Sequence, residues 1–246
     1  AFGTDRGKGE FLDVLRRMSD EEGDFWIRLL YIHPDHFPRE LLELVSRDSR
    51  ILPYFDIPFQ HASEKVLRGM GRRGDGVSYL GLIDEIRGRL EDSVIRSTFM
   101  LAFPGEGKRE FLELKEFVLK AELDWSGTFV YSREEGTPAY GDRQEAAHRR
   151  AVRRGAQWQQ ELQLLQQEIT EGRLDRWIGR EMDVLIEECI TGEDLAIGRS
   201  FLQAPEVDGA TVVRGSNLKP GDWIRCRVIR RNGIDLEALP TEGEDG

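Results

Sequence analysis

The sequence is poor in the residues that staple a fold or span a membrane. Of its 246 residues two are cysteines, Cys189 and Cys226, with no short-spaced pair, which excludes a disulfide framework and a cysteine zinc site. Both sit in apolar, strand-like surroundings and are expected to be small buried hydrophobes. No run approaches the roughly 20 apolar residues of a bilayer-spanning helix, and the first residues lack a basic-then-apolar signal pattern. No membrane partner is expected, and the chain reads as soluble and cytoplasmic. Basic side chains are also scarce: 35 Lys and Arg face 46 Asp and Glu, a formal charge of -11. Phosphate neutralisation rests on basic surface, so this balance argues against a nucleic-acid partner and suits a basic protein.

What is present is repeated strand-then-helix order. Runs rich in β-branched and aromatic residues predict strands over 25–32, 54–59, 94–102 and 127–131. Apolar residues at helical spacing predict helices over 9–22, 39–45, 77–90 and 109–121 between them. Such alternation calls for a parallel α/β sheet. A long polar helix over 144–177 follows, in which Trp158, Leu162, Leu165, Ile169 and Leu174 recur, and Gly179 suits its C-terminal cap. Beyond it the strands are short and turn-punctuated, with Asn232-Gly233 as a hairpin signal, so a small antiparallel, OB-like barrel is expected. The expected domains are 1–177 and 178–240, with 241–246 a disordered tail.

Each α/β strand stops at unusual residues: Tyr31-Ile32-His33-Pro34, Phe59-Gln60-His61-Ala62-Ser63, Phe103-Pro104-Gly105-Glu106, and Tyr131 through Thr137. Loops leaving the carboxyl ends of parallel strands build active sites in such folds. Taken alone, Ser63 reads as a helix cap and His61 as a satisfied core histidine. Phe103-Pro104-Gly105-Glu106 reads as an ordinary turn that would also let the backbone pass close to a flat ligand. Glu134-Glu135 is either a solvated turn or an acidic face that repels RNA. Arg72-Arg73 suits a carboxylate of cofactor or substrate, whereas Arg149-Arg150 and Arg153-Arg154 read as a solvated face.

Several of these segments, in order and spacing, resemble one family. Phe55 to Ser63 followed by Arg68-Gly69-Met70-Gly71-Arg72-Arg73, then Ala102-Phe103-Pro104-Gly105-Glu106, then Tyr131 to Thr137, are similar to the motifs of radical S-adenosylmethionine methylthiotransferases. Ala196-Ile197-Gly198-Arg199-Ser200 and Ala204 to Gly209 resemble the terminal TRAM barrel of the branch that modifies an aspartate in a ribosomal protein. The resemblance implies a partial (β/α) radical-SAM-type barrel followed by a TRAM barrel. It implies reductive cleavage of S-adenosylmethionine, hydrogen abstraction from an aspartate β-carbon and installation of a methylthio group.

By that resemblance Gln60, His61, Ser63, Phe103, Gly105 and Glu106 contact S-adenosylmethionine, and Tyr131, Glu134, Glu135 and Thr137 face the substrate. No catalytic residue is assigned. The partner implied is a basic small-subunit ribosomal protein or the ribosome. Two other readings stay open, a tRNA-adenosine methylthiotransferase and a non-catalytic module docking a basic ribosomal protein. The chain departs from the family at Ala102 and Gly107, where Gly and Thr are usual. It also lacks the CxxxCxxC thiolates that hold one of the family's two [4Fe-4S] clusters, so no metal site and no bound cluster are expected. Ala1-Phe2-Gly3-Thr4-Asp5 looks like the end of a strand, and the chain is expected to be a fragment without the family's amino-terminal domain.

Overall fold

The computed structural model describes residues 10–142 and 145–241, so the expectation about Ala1 to Asp5 lies outside the described residues. The chain divides into two compact units between Gln166 and Gln167.

The first unit contains the sheet β1 (Ile27–Leu29), β2 (Ile51–Asp56), β3 (Val94–Leu101) and β4 (Trp125–Val130), with strand order β1-β2-β3-β4 and every ladder parallel. Helices α1 (Phe11–Asp20), α2 (Glu40–Arg47), α3 (Glu64–Gly69), α4 (Gly76–Arg89) and α5 (Lys108–Ala121) link or precede the strands, and α6 (Glu145–Asp175) follows them. The expected order is present, with shifted ends. β2 begins at Ile51, ahead of the predicted start, and runs through Pro53. Ile27 pairs with Ile51 and Leu29 with Phe55, so the ladder slips across the residue that has no N–H to give.

Two helix starts follow directly from sequence. Asp75 accepts from the Ser78 N–H at 2.8 Å while the Ser78 hydroxyl receives the Asp75 N–H, a reciprocal cap for α4. Glu110 reaches back to the Gly107 N–H at 2.9 Å to cap α5 and also takes the Lys65 ammonium of α3 at 2.7 Å. That ammonium, and then the backbone N–H groups, hold the Glu110 carboxyl down at about 2. Beneath these helices Phe59, Tyr79, Phe99 and Phe117 form the aromatic core, Phe59 stacked on Tyr79 at 4.6 Å and edge-on to Phe117 at 5.6 Å.

Helix α6 lies against β4. Gln159 donates to the Thr128 carbonyl and Gln166 to the Leu123 carbonyl, and Trp158 stacks on Phe111 at 4.6 Å. At Gly155 the approach is closest, since a Cβ there would lie 2.7 Å from the Ala102 Cβ and 3.1 Å from Val130.

The second unit is a closed barrel of β5 (Glu181–Cys189), β6 (Leu195–Arg199), β7 (Thr211–Arg214), β8 (Trp223–Asn232) and β9 (Asp235–Pro240), in the order β5-β6-β7-β9-β8. Four ladders are antiparallel as expected, and the β7–β9 ladder is parallel. The β8–β9 hairpin turns at Gly233 and Ile234 rather than Asn232 and Gly233, because Asn232 pairs with Asp235 and the left-handed position (φ 61) falls on Gly233. Thr241, expected as part of a disordered tail, is held on the barrel. Pro240 pairs with Cys226, and Thr241 donates its N–H and hydroxyl to the Arg225 carbonyl; residues 242–246 lie outside the described residues. Cys226 is buried as expected. Cys189 is only partly buried, and its thiol donates to the Leu218 carbonyl at 3.1 Å.

The barrel explains the residues of its two sequence motifs. Gln203 Oε1 accepts from the Ser200 N–H, the Ser200 hydroxyl and the Thr211 hydroxyl, all buried. A Cβ on Gly198 would sit 2.5 Å from the Leu185 carbonyl oxygen, and one on Gly209 2.1 Å from that of Ile234. Only glycine lets these backbones pass.

Three outcomes follow. Gly209→Ala drives a methyl into backbone that cannot swing away, so the barrel loses about 3 kcal/mol in denaturant melts; an unchanged midpoint would refute the close approach. Gly155→Ala costs about 1–3 kcal/mol, and Ala102→Gly in the same chain restores most of it, whereas additive losses would show that the two positions do not share that space. The Lys65–Glu110 bond contributes stability above pH 4.5, the ordinary carboxyl value, and the contribution vanishes as pH falls through about 2. The gap in urea midpoint between the native chain and Glu110→Gln is therefore widest near neutrality and closes on acidification.

Candidate functional site

A parallel sheet delivers all its strand ends to one edge, and here that edge is strained. Tyr31 after β1, Gln60 after β2 and Ala102 after β3 have φ of 59°, 69° and 61°. A left-handed non-glycine residue costs on the order of 1–3 kcal/mol, and such strain clusters at functional sites. Each is held by its surroundings. The Tyr31 N–H donates to the buried Asp56 carboxylate at 3.2 Å, and Asp56 also takes the Arg96 guanidinium at 3.1 Å. Gln60 is clamped in the ladder, its N–H on the Thr98 carbonyl and its own carbonyl accepting from Met100. Between Asp56 and Gln60 the chain detours through Pro58, and the Ser97 hydroxyl accepts the Phe59 N–H at 3.1 Å.

Beyond Gln60 lies a buried polar pair. His61 is fully buried, its Nδ1 accepts from the Ser63 N–H at 2.9 Å, and its Nε2 lies 3.3 Å from Glu106 Oε1. Because Nδ1 is an acceptor, the ring proton is assigned to Nε2, which donates to Glu106. Ser63 stands at the cap position of α3 but makes no side-chain cap bond. Glu106 opens from a turn closed by its own N–H on the Phe103 carbonyl, with Gly105 at φ 90°, and Arg154 donates to the Glu106 carbonyl at 3.3 Å. Phe103 is buried edge-on to Tyr131, ring centroids 5.1 Å apart, beside Val66 and Met70.

Three buried atoms here have no hydrogen-bond partner among the described residues: Gln60 Oε1, Glu106 Oε2 and the Tyr131 hydroxyl. The Arg72 guanidinium donates to the Pro58 carbonyl at 2.8 Å, and burial pushes its pKa down. Burial also pushes the nearby Tyr79 phenol up to about 12, with its hydroxyl on the Arg73 carbonyl.

The loop after β4 is a separate cluster. Ser132 donates to Glu134, Thr137 to the Glu134 carbonyl, and Tyr140 to Glu135 at 3.2 Å. A cavity of about 570 Å³ lies behind it, lined by Tyr131, Arg133, Glu135, Tyr140, Glu145 and His148 among others. Of the residues singled out in sequence, Tyr131 and Glu135 line it. Arg149, in the arginine run expected to be solvated, is exposed and pairs with Glu145 at 3.1 Å. Sequence reading missed the Asp56–Arg96 pair, the His61–Glu106 contact and His148, because each joins segments with no local signature.

Comparison with known proteins follows this geometry. The TRAM domain model matches residues 178–240. The ribosomal protein uS12 methylthiotransferase RimO of Treponema denticola is 44% identical over 245 residues, covering 92% of this chain and 52% of that protein. Those of Thermotoga maritima and Aquifex aeolicus are each 38% identical, covering 96% of this chain and 54% of theirs. The chain thus spans about half the length of the curated relatives it matches. The solved coproporphyrinogen III oxidase of Escherichia coli, described as a radical SAM enzyme, aligns with 68% of this chain and 36% of its own at TM-score 0.42 and 16% identity, a likeness too slight to carry an argument. Over nearly all of its own length the chain is thus similar to one part of the ribosomal protein uS12 methylthiotransferases.

Proposed function

We propose that this chain is the part of a radical S-adenosylmethionine methylthiotransferase that holds S-adenosylmethionine and meets the protein to be modified, at an aspartate of a small-subunit ribosomal protein in the cytoplasm. The observation that carries the reading is the pair of orphan acceptors, Gln60 Oε1 and Glu106 Oε2, buried at adjacent strand ends. An unpartnered buried polar atom costs about 1–3 kcal/mol, so a ligand bringing donors is the natural complement. S-adenosylmethionine has an ammonium, an adenine amino group and two ribose hydroxyls, and it fits these residues chemically. When reductively cleaved, it supplies abstraction of hydrogen from an unactivated C–H bond.

The chain's own contribution is to bind and orient. Gln60 presents its amide oxygen because the ladder fixes its backbone on both sides. His61 acts as a positioning residue, holding Glu106 by one oxygen so that the other faces outward from the pair. Gly105 and Pro104 keep the turn narrow beside Phe103, which offers an apolar wall to a flat base. Ser63 completes the proposed cofactor site, and Tyr131, Glu134, Glu135 and Thr137 are the proposed substrate-facing residues.

A [4Fe-4S] cluster does not fit the residues present. The two cysteines both belong to the barrel, and burial pushes the Cys226 thiol up to about 11, away from the thiolate a metal needs. Among the described residues no group of three His, Cys, Asp or Glu side chains is placed to hold a metal ion. We assign residues 1–177 to the cofactor site and 178–240 to docking of the ribosomal protein. The tRNA-directed reading finds no support in relatives named for a ribosomal protein.

The test is S-adenosylmethionine binding by the full-length, cluster-loaded protein. Gln60→Ala weakens it about tenfold, the worth of one lost hydrogen bond to a charged or strongly polar group, and leaves thermal unfolding unchanged. His61→Ala weakens binding and stability together, because it strands Glu106 in the interior. Undiminished binding by Gln60→Ala would remove the reading of this edge as the cofactor site.

A further inference from the structure

The cavity after β4 is walled by aromatic rings and carboxylates, and Arg133, the arginine among the described residues that line it, is already committed. The Arg133 guanidinium donates to the Tyr140 carbonyl at 2.6 Å and to Glu145 at 3.1 Å, and it lies over the Tyr140 ring at 4.1 Å. Glu145 is balanced further by Arg149 at 3.1 Å. Glu135 differs, since its partner among the described residues is a neutral phenol, the Tyr140 hydroxyl. Tyr131, nine-tenths buried and part of the cavity wall, has a hydroxyl with no hydrogen-bond partner among the described residues. Its ring stands edge-on to His148, centroids 6.1 Å apart.

An anion is a poor occupant, because two carboxylates line the cavity and its guanidinium is spent on internal contacts. A cation with N–H donors meets an available carboxylate, a phenol oxygen and aromatic surface together. The volume of about 570 Å³ lies in the range of built ligand sites.

We propose that this cavity is a specificity pocket for one lysine or arginine side chain of the protein substrate, seated by Glu135 and Tyr131. This rests on the reading of the chain as a ribosomal-protein methylthiotransferase, and it separates the two adjacent carboxylates. Glu135 grips the substrate. Glu134 shapes the loop, since its carboxylate accepts from Ser132 and its carbonyl from Thr137.

The experiment titrates the chain with two capped peptides, one with an arginine and a lysine flanking an aspartate, the other with both basic residues replaced by glutamine. Binding is followed by NMR shifts of the Tyr131 and His148 rings. The basic peptide shifts both rings and the glutamine peptide does not. Glu135→Gln weakens the basic peptide about tenfold, as loss of a charge-assisted contact should, while Glu134→Gln changes it less than twofold. Glu135 is exposed, so its replacement leaves thermal unfolding in place. Equal binding of both peptides, or equal losses from the two glutamate variants, overturns the proposal. S-adenosylmethionine affinity is unchanged by Glu135→Gln, so failure here is distinguishable from failure of the cofactor site.

Discussion

The hydrogen bond from His61 to Glu106 joins the loop after β2 to the turn after β3, and the polar edge of the sheet is organised around it. Both groups are buried, where an unmet polar atom is costly and a met one is strong because the surroundings screen it little. The Ser63 N–H fixes which ring nitrogen carries the proton, so the pair has one arrangement. Its consequence is that one Glu106 oxygen is consumed and the other is left without a partner among the described residues.

Strain at the same edge has to be offset elsewhere. Tyr31, Gln60 and Ala102 occupy a backbone region that their side chains disfavour. Ladder bonds offset it at Gln60, a buried carboxylate at Tyr31, and packing at Ala102, whose methyl occupies the space that Gly155 leaves vacant. Ala102 is thereby paired with a glycine far along the chain. The barrel uses the same currency of close approach, with Gly198 and Gly209 facing carbonyl oxygens that no side chain could tolerate.

Much of the architecture was legible because it is periodic or local. Alternating strand and helix patterns announced the parallel sheet, and the Asp75–Ser78 cap and the Gly233 turn follow from residues a few positions apart. The motif segments fall at the strand ends, which made these the candidate site. What each residue does there was less legible. The bond from Arg72 to the Pro58 carbonyl had no local signature, and the adjacent Glu134 and Glu135 have different surroundings.

The order of strands and helices was set by periodicity and spacing along the chain, which are local properties of the sequence. Only the tertiary structure decided that His61 pairs with Glu106, that Ala102 needs Gly155, that β7 and β9 run parallel, and that Glu135 rather than Glu134 faces a cavity. These contacts join residues that are distant in sequence, or neighbours whose side chains diverge. Nothing in local propensity encodes them, since they are set by which strand ends the ladders bring to one edge.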